Sequence, residues 1–424
     1  MAYTQTTSTS WASRLGGSFR GIGVGFFLLI AGTGLLWWNE GNFVNTGDAL
    51  TEAQGITQEL GDINTVNAGM NGKLVHAIGL ATTEDVLTDP DFQIATKAIR
   101  LERSVEYFQW TEQSKSEKRK KLGGGEETVT TYTYSTKWTN APVNSSTFHD
   151  PSAVKSKVNT VIMPLENKKI QAQKVTLGAY LLPAFLVNSI SGASDLTVAI
   201  PEATLANLNK QLAAVNPERN LPQPEQMTLP GFSRPQAAPV QEAAPSEMIH
   251  VSGSTVYVGP SPASPRIGDV RITYKEVRPA TVSLLAKLIG NTFEVFHASN
   301  GKTVSSLRMG EASLENMYGV AHSSNSTMTW ILRAVGVLLI IGGLKMIVSP
   351  IVVLADVIPL MGTLVGAGLG LASTLLGFAW SLLVVSIAWL RFRPLIGGIM
   401  VLVAVVLIAL VFVKGRSKKA APAE

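Results

Sequence analysis

The sequence has no cysteine in its 424 residues. Disulfides, thiolate nucleophiles, iron–sulfur clusters and thiolate zinc sites are therefore excluded. The redox compartment stays open, because a cysteine-free chain tolerates either condition. Charge is scarce too. Asp, Glu, Lys and Arg make up 15% of the chain, against about 25% in a typical soluble domain. The net charge of +5 is mild and does not point to a nucleic-acid partner. Histidine is sparse: His76, His149, His250, His297 and His322 are the full set. None stands at His-x₃-His or Glu-x-x-His spacing, so metal-ligand spacing is missing. Gly-x-Ser-x-Gly, a phosphate loop and a dinucleotide fingerprint are also lacking. We expect no cofactor and no metal, and no enzyme. The one catalytic alternative is a membrane-anchored hydrolase that joins His149 or Asp150 to a nearby serine.

What is abundant is apolar residues, 46% of the chain, gathered into runs. Gly21 to Trp38 is 18 residues without charge, Leu364 to Leu390 is 27, and Pro394 to Val413 is 20. Trp330 to Val348 is 19 residues with one cation near each end, Arg333 and Lys345. Both cations are within snorkelling reach of an interface. A bilayer core of about 30 Å needs roughly 20 apolar helical residues, so four spans are predicted: 21–38, 330–348, 364–390 and 394–413. The first run ends Leu36-Trp37-Trp38-Asn39-Glu40, with an interfacial tryptophan pair and no small-residue cleavage site. It reads as a retained anchor rather than a signal peptide.

Lys and Arg near the span ends set the orientation. Arg14 and Arg20 precede the first span, and Lys414, Arg416, Lys418 and Lys419 follow the last. This places tail 1–20 and basic tail 414–424 in the cytoplasm. Arg391 and Arg393 dissent, falling on the opposite face. Residues 43–328 then form one extracytoplasmic domain. Segment 349–363, with Pro350, Asp356 and Pro359, reads as an interfacial turn in which Asp356 is a cap or a solvated charge.

The domain shows strand alternation. Ile99, Leu101, Val105 and Tyr107 share a face, as do Thr130, Tyr132, Tyr134, Thr136 and Trp138, and Val270, Ile272 and Tyr274. Further strands are predicted at 73–80, 254–258, 281–289 and 293–296. The run Glu117 to Glu127 reads as a flexible, solvated hairpin tip on the domain's side of the membrane. Helices are predicted over Val175 to Ile190 and Pro201 to Val215. Residues 216–245 hold seven prolines and read as a linker. Small residues recur every four positions at Gly21 and Gly25, and at Gly362, Gly366 and Gly370, a pattern that suits close helix packing.

Several motifs resemble the LUMA family (transmembrane protein 43). They are Trp38-Asn39-Glu40-Gly41; Tyr132 and Tyr134 with Trp138, followed by Ser145-Ser146 and Phe148; Pro265 to Arg271 with Gly268 and Asp269; and Gly310 to Met317. The turn Ala355-Asp356-Val357-Ile358-Pro359 and the stretch Ala388 to Pro394 complete the set. The resemblance implies four spans with both termini cytoplasmic and a large domain between the first two. It also implies an endoplasmic reticulum and inner nuclear membrane location in animals, with self-binding and lamin-linked partners. It supplies no catalytic residues. With no organelle address in the chain, a bacterial member in the cytoplasmic membrane with a periplasmic domain is expected.

The expectation is thus an α+β membrane protein. It has four transmembrane helices, one N-terminal and three C-terminal, with a large β-rich domain inserted after the first. The expected function is a scaffold that contacts the lipid bilayer, forms homo-oligomers and binds other membrane proteins. The alternative is an ion-conducting or mechanically gated channel.

Overall fold

The computed structural model describes residues 2–215, 247–395, 398–399 and 402. The expected linker 216–245, most of the fourth span 394–413 and the tail 414–424 lie outside the described residues.

Three long helices dominate one end. Helix α1 spans Trp11–Ile56. It starts at Ser10, whose side chain accepts from the Ser13 amide and satisfies one of the free first-turn donors. No proline interrupts it, and it runs far beyond its 18 apolar residues, 46 in all. Short helices follow at Pro151–Ser156 (α2) and Ala184–Val187 (α3), and a longer one at Glu202–Val215 (α4). Helix α5 spans Leu314–Ala355 and α6 spans Pro359–Phe392. Helices α1, α5 and α6 are each long and apolar enough to cross a membrane.

The predicted turn 349–363 shrinks to three residues, 356–358. Helix α5 passes through Pro350, which cannot donate to the Met346 carbonyl. The Ser349 hydroxyl donates there instead, at 2.8 Å, and the helix continues.

The domain between α1 and α5 is built mainly of two large sheets, the first of which also takes in the strand before α1. One has eight strands, in the order Ala2–Thr9, Glu126–Thr139, Arg100–Lys120, Val270–Val277, Thr255–Val258, Ile249–Ser252, with Lys168–Gln171 and Ser194–Asp195 paired alongside. In the other, Leu74–Thr83, Ala280–Ile289, Thr292–Glu294, Tyr180–Leu181 and Val175–Leu177 pair in a ring that closes on itself. Ile99, Leu101, Val105, Tyr107, Val270, Ile272 and Tyr274 are buried on the face the alternation picks out. They meet Val75, Ala77 and Ala81 of the ring in one core.

Two expectations are corrected here. Val175 to Ile190 is not one helix. Gly178 takes a positive φ of 58° and turns the chain between two short strands, and Pro183 then starts α3. The distal hairpin face from Thr130 to Trp138 is only partly buried, with Tyr132 alone inside. Helix α4 forms as predicted, with Leu205, Leu208 and Leu212 on the core.

A buried ion cluster pins the core. Arg103 donates to Asp89 at 2.8 Å, to Asp91, and to the Glu166 carbonyl at 3.0 and 3.1 Å. Tyr274 donates to Asp89 at 2.6 Å, and burial raises its phenol well above the usual range. Replacing Asp89 by Ala removes the buried partner of both Arg103 and Tyr274 and leaves the guanidinium paired with the more exposed Asp91. We expect a loss of about 3–5 kcal/mol of domain stability, read by chemical denaturation.

Candidate functional site: charged clusters at the two ends of the helical bundle

Helices α1, α5 and α6 pack through glycines. A Cβ on Gly25 would sit 2.7 Å from the Gly343 carbonyl, and one on Gly32 would sit 2.9 Å from that of Gly336. Gly21 faces Met346 and Ser349 more loosely. The α6 glycines behave differently. Gly362 fits beneath Asp356, where a Cβ would stand 1.8 Å from Oδ1, Gly366 approaches Val352, and Gly370 has open space. The stripe thus serves the α5–α6 turn more than a helix interface.

The domain-side end of the bundle carries a buried carboxylate. Glu40 is fully buried on α1. Arg333 of α5 clasps it with two bonds of 2.7 Å, and the Trp389 indole of α6 donates to it at 2.5 Å. Three helices thus meet on one side chain. Trp330 and Trp389 also lie 4.7 and 5.8 Å from the guanidinium. Asn39 donates to the Thr329 carbonyl at 3.1 Å, and among the described residues its buried Oδ1 has no partner. Gly41 lies under the Phe392 ring, which also packs near Trp37. Arg333 was expected to snorkel; its position opposite Glu40 in space corrects that.

The far end holds a second cluster. The carboxylate of Asp356 takes Arg14 and Lys120 at 2.6 Å each. Burial pushes this carboxyl up, but the bonds and charges of Lys120 and Arg14 overcome that and hold it below its usual range. Lys120 belongs to the tip of the long hairpin, which corrects the expectation of a flexible solvated tip. The strands run to Lys120 and resume at Glu126. The Gly123 amide donates to the Val357 carbonyl at 3.1 Å, and Arg14 donates to that of Gly124 at 2.5 Å. Gly124, at a φ of +79°, lies against Trp11. Strand Ala2–Thr9 pairs with the outer edge of the hairpin from Thr133 to Glu126. Asp356 is therefore neither a simple cap nor solvated, and the tip meets the helix ends farthest from the domain core.

The remaining motif residues build the root of the hairpin. His149 stacks on Tyr132 at 4.1 Å and bonds Glu112 at 2.7 Å. Tyr134 donates to Glu112 at 2.6 Å, and burial together with that bond pushes its phenol up to about 12. Trp138 lies against Phe108, with Arg271 4.4 Å above its ring. Asp269 accepts from Tyr257 and the Arg266 amide at the turn formed by Gly268, which has a φ of +95°. Pro359 opens α6 at its first turn. Asp150 accepts from the amide and hydroxyl of Ser152 as the cap of α2, while His149 engages Glu112. Among the described residues, no group of three His, Asp or Glu is placed to hold a metal ion.

Comparison with known proteins follows the same outline. The family model for Transmembrane protein 43 matches residues 107–394. This chain belongs to the transmembrane protein 43 family. Mouse transmembrane protein 43 is 25% identical over 98% of this chain and 95% of its own length. The human protein is 24% identical over 92% and 89%, and the Drosophila melanogaster homolog 24% over 89% and 90%. No solved structure matches. Glu40 and Asp356 both fall within motifs that carry the family resemblance. The family name denotes a membrane protein, and the three long apolar helices agree with it.

Two outcomes are expected. Arg333→Ala leaves Glu40 buried and unpaired, costing about 3–5 kcal/mol in detergent melts, while Glu40→Leu with Arg333→Leu costs less than that single change. The tip cluster responds to acid. Because the folded carboxyl of Asp356 is depressed, its contribution is present above the ordinary value of 3.8 and fades as pH falls below it. A spin-label pair at positions 11 and 124, adjacent in the structure, should read a short distance in detergent at neutral pH and a longer one on such acidification.

Proposed function

We propose that this protein is an integral membrane scaffold. It self-associates and holds partner membrane proteins or lipid through its helix faces and its domain. The observation that carries this reading is the three-helix junction on Glu40. It locks the spans together, while α1 and α5 continue unbroken into the domain. There Ala49, Leu50 and Ala53 of α1 pack with Met317 and Tyr318 of α5 and with Leu74 and Leu285 of the ring. A channel would need polar groups lining a path. In the bundle Glu40 and Arg333 are consumed in a closed pair, and α6 has no charge from Leu364 to Leu390.

In this reading the bilayer lies between the Glu40 and Asp356 clusters. The 26 steps of α1 from Arg14 to Glu40 rise about 39 Å, near the full thickness of a bilayer with its headgroups. Four spans, including 394–413, put both termini in the cytoplasm and 43–328 outside it, with Gly21 and Gly25 as packing positions of α1 and Gly370 open to a second copy. A bacterial cytoplasmic membrane is the proposed site. Open-edged polar strands do not lie in hydrocarbon. This reading places the hairpin clear of the helices in the bilayer, whereas in this structure its tip bonds Asp356 and the Val357 carbonyl.

Chemical cross-linking of the full chain in mild detergent is expected to trap homo-oligomers; a strictly monomeric protein without partners refutes the scaffold. Compartment-sensitive reporters after Gly125 and after Glu424 should lie on opposite sides. If they share a side, this topology is wrong.

A further inference from the structure

Where α1 and α5 leave the proposed bilayer, a cleft of about 420 Å³ opens between them beneath the strand Ser306–Met309. Its inner wall is apolar, formed by Leu50, Leu285 and Met317. Its mouth carries Asn42, Thr303, Ser306 and Ser324. The only charged lining residue is Arg308, which donates to Asn316. At the rim, Lys302 donates to Asn42 at 2.6 Å. Among the described residues neither cation forms an ion pair, and both are partly buried rather than fully exposed. Two partly buried cations among hydroxyls and amides match a phosphate, which accepts strong charge-assisted bonds.

The height of the cleft decides the source of that phosphate. Asn42 stands two residues beyond Glu40, and Asn325 about two turns before Arg333, so the mouth lies at headgroup level. The α5 face that lines the cleft through Ala321 and Ser324 continues at helical spacing to Met328, Ile331 and Val335. These three are 54%, 53% and 40% exposed. An apolar strip thus runs from the cationic mouth into the hydrocarbon layer.

We propose that this cleft binds the headgroup of an anionic phospholipid through Arg308 and Lys302, with its acyl chains along Met328, Ile331 and Val335. The proposal rests on the membrane reading above and names the lipid class that reading leaves open. It also accounts for the dissenting Arg391 and Arg393. Arg393 stacks over Phe43 at 5.7 Å, next to Asn42, and adds positive charge to the same bilayer face. Cations that hold anionic lipid need not follow the positive-inside bias.

The test uses the full chain in nanodiscs of phosphatidylcholine, alone or mixed with phosphatidylglycerol, with native mass spectrometry of the lipid retained on release. Selective retention of phosphatidylglycerol is expected. Lys302→Gln and Arg308→Gln should each lower it about fivefold. The charge-keeping pair K302R and R308K should retain it, and Lys137→Gln on the hairpin should leave it unchanged. Equal retention of both lipids overturns the proposal, as does a double glutamine variant that retains phosphatidylglycerol like the parent. Inorganic phosphate is the competing source. If it displaces phosphatidylglycerol from the detergent-solubilised protein, the cleft is a free-phosphate site and the lipid assignment falls. Carbonate extraction read separately distinguishes the two failures. A chain released from vesicles refutes the membrane reading itself, whereas one that resists extraction but shows no lipid preference refutes only the lipid site.

Discussion

A carboxylate with no access to water has to be neutralised by something, and in this protein Arg333 does it. Burying two charges is costly, and their mutual attraction repays that cost only when the geometry is good and the remaining sites are filled. Here the guanidinium binds both oxygens of Glu40 and the Trp389 indole takes a further lone pair. The pairing fixes rotation as well as height. Helices α1, α5 and α6 each contribute one side chain, and a rotation of any of them would withdraw its member. Close glycine contacts below the pair then become possible, because they need a defined register between Gly25 and Gly343 and between Gly32 and Gly336.

The rest of the molecule follows from that fixed bundle. α1 and α5 emerge from it side by side and enter the domain as part of its core, where Thr57 and Tyr318 bond at 2.7 Å. The ring of strands packs on them through Leu74 and Leu285, and the larger sheet packs on the ring. The domain's own buried charges repeat the same logic on a smaller scale. Arg103 sits at the centre of Asp89, Asp91, Tyr274 and a backbone carbonyl, as Glu40 sits between Arg333 and Trp389.

Part of this was legible in the residues themselves. Three of the apolar runs announce three helices, because charge-free runs of that length have few other uses. Alternation marked the faces of Ile99 to Tyr107 and of Val270 to Tyr274, since one side of each strand is buried. The family resemblance picked out Glu40 and Asp356 through their motifs, yet it gave neither a partner. Arg333 lies 293 residues from Glu40, and Lys120 lies 236 from Asp356, and no local pattern encodes such pairings. An isolated acid just beyond an apolar run, and an isolated arginine inside one, were the available signals. The helix ends misled for a related reason. Hydropathy reports where lipid-compatible residues stop, whereas the helices continue as long as the backbone is satisfied, so α1 overran at both ends. Val175 to Ile190 failed because apolar content without a clear period fits buried strands as well as a helix.

One mechanical consequence follows from the unbroken course of α1. At 46 residues it is a rod of about 69 Å with no proline inside it. Its membrane-level part and its domain-level part therefore turn together. A span that tilts to suit a thinner bilayer carries the whole β-rich domain through the same angle, with the displacement growing toward Thr57. The protein is thereby a lever that converts bilayer thickness into domain position.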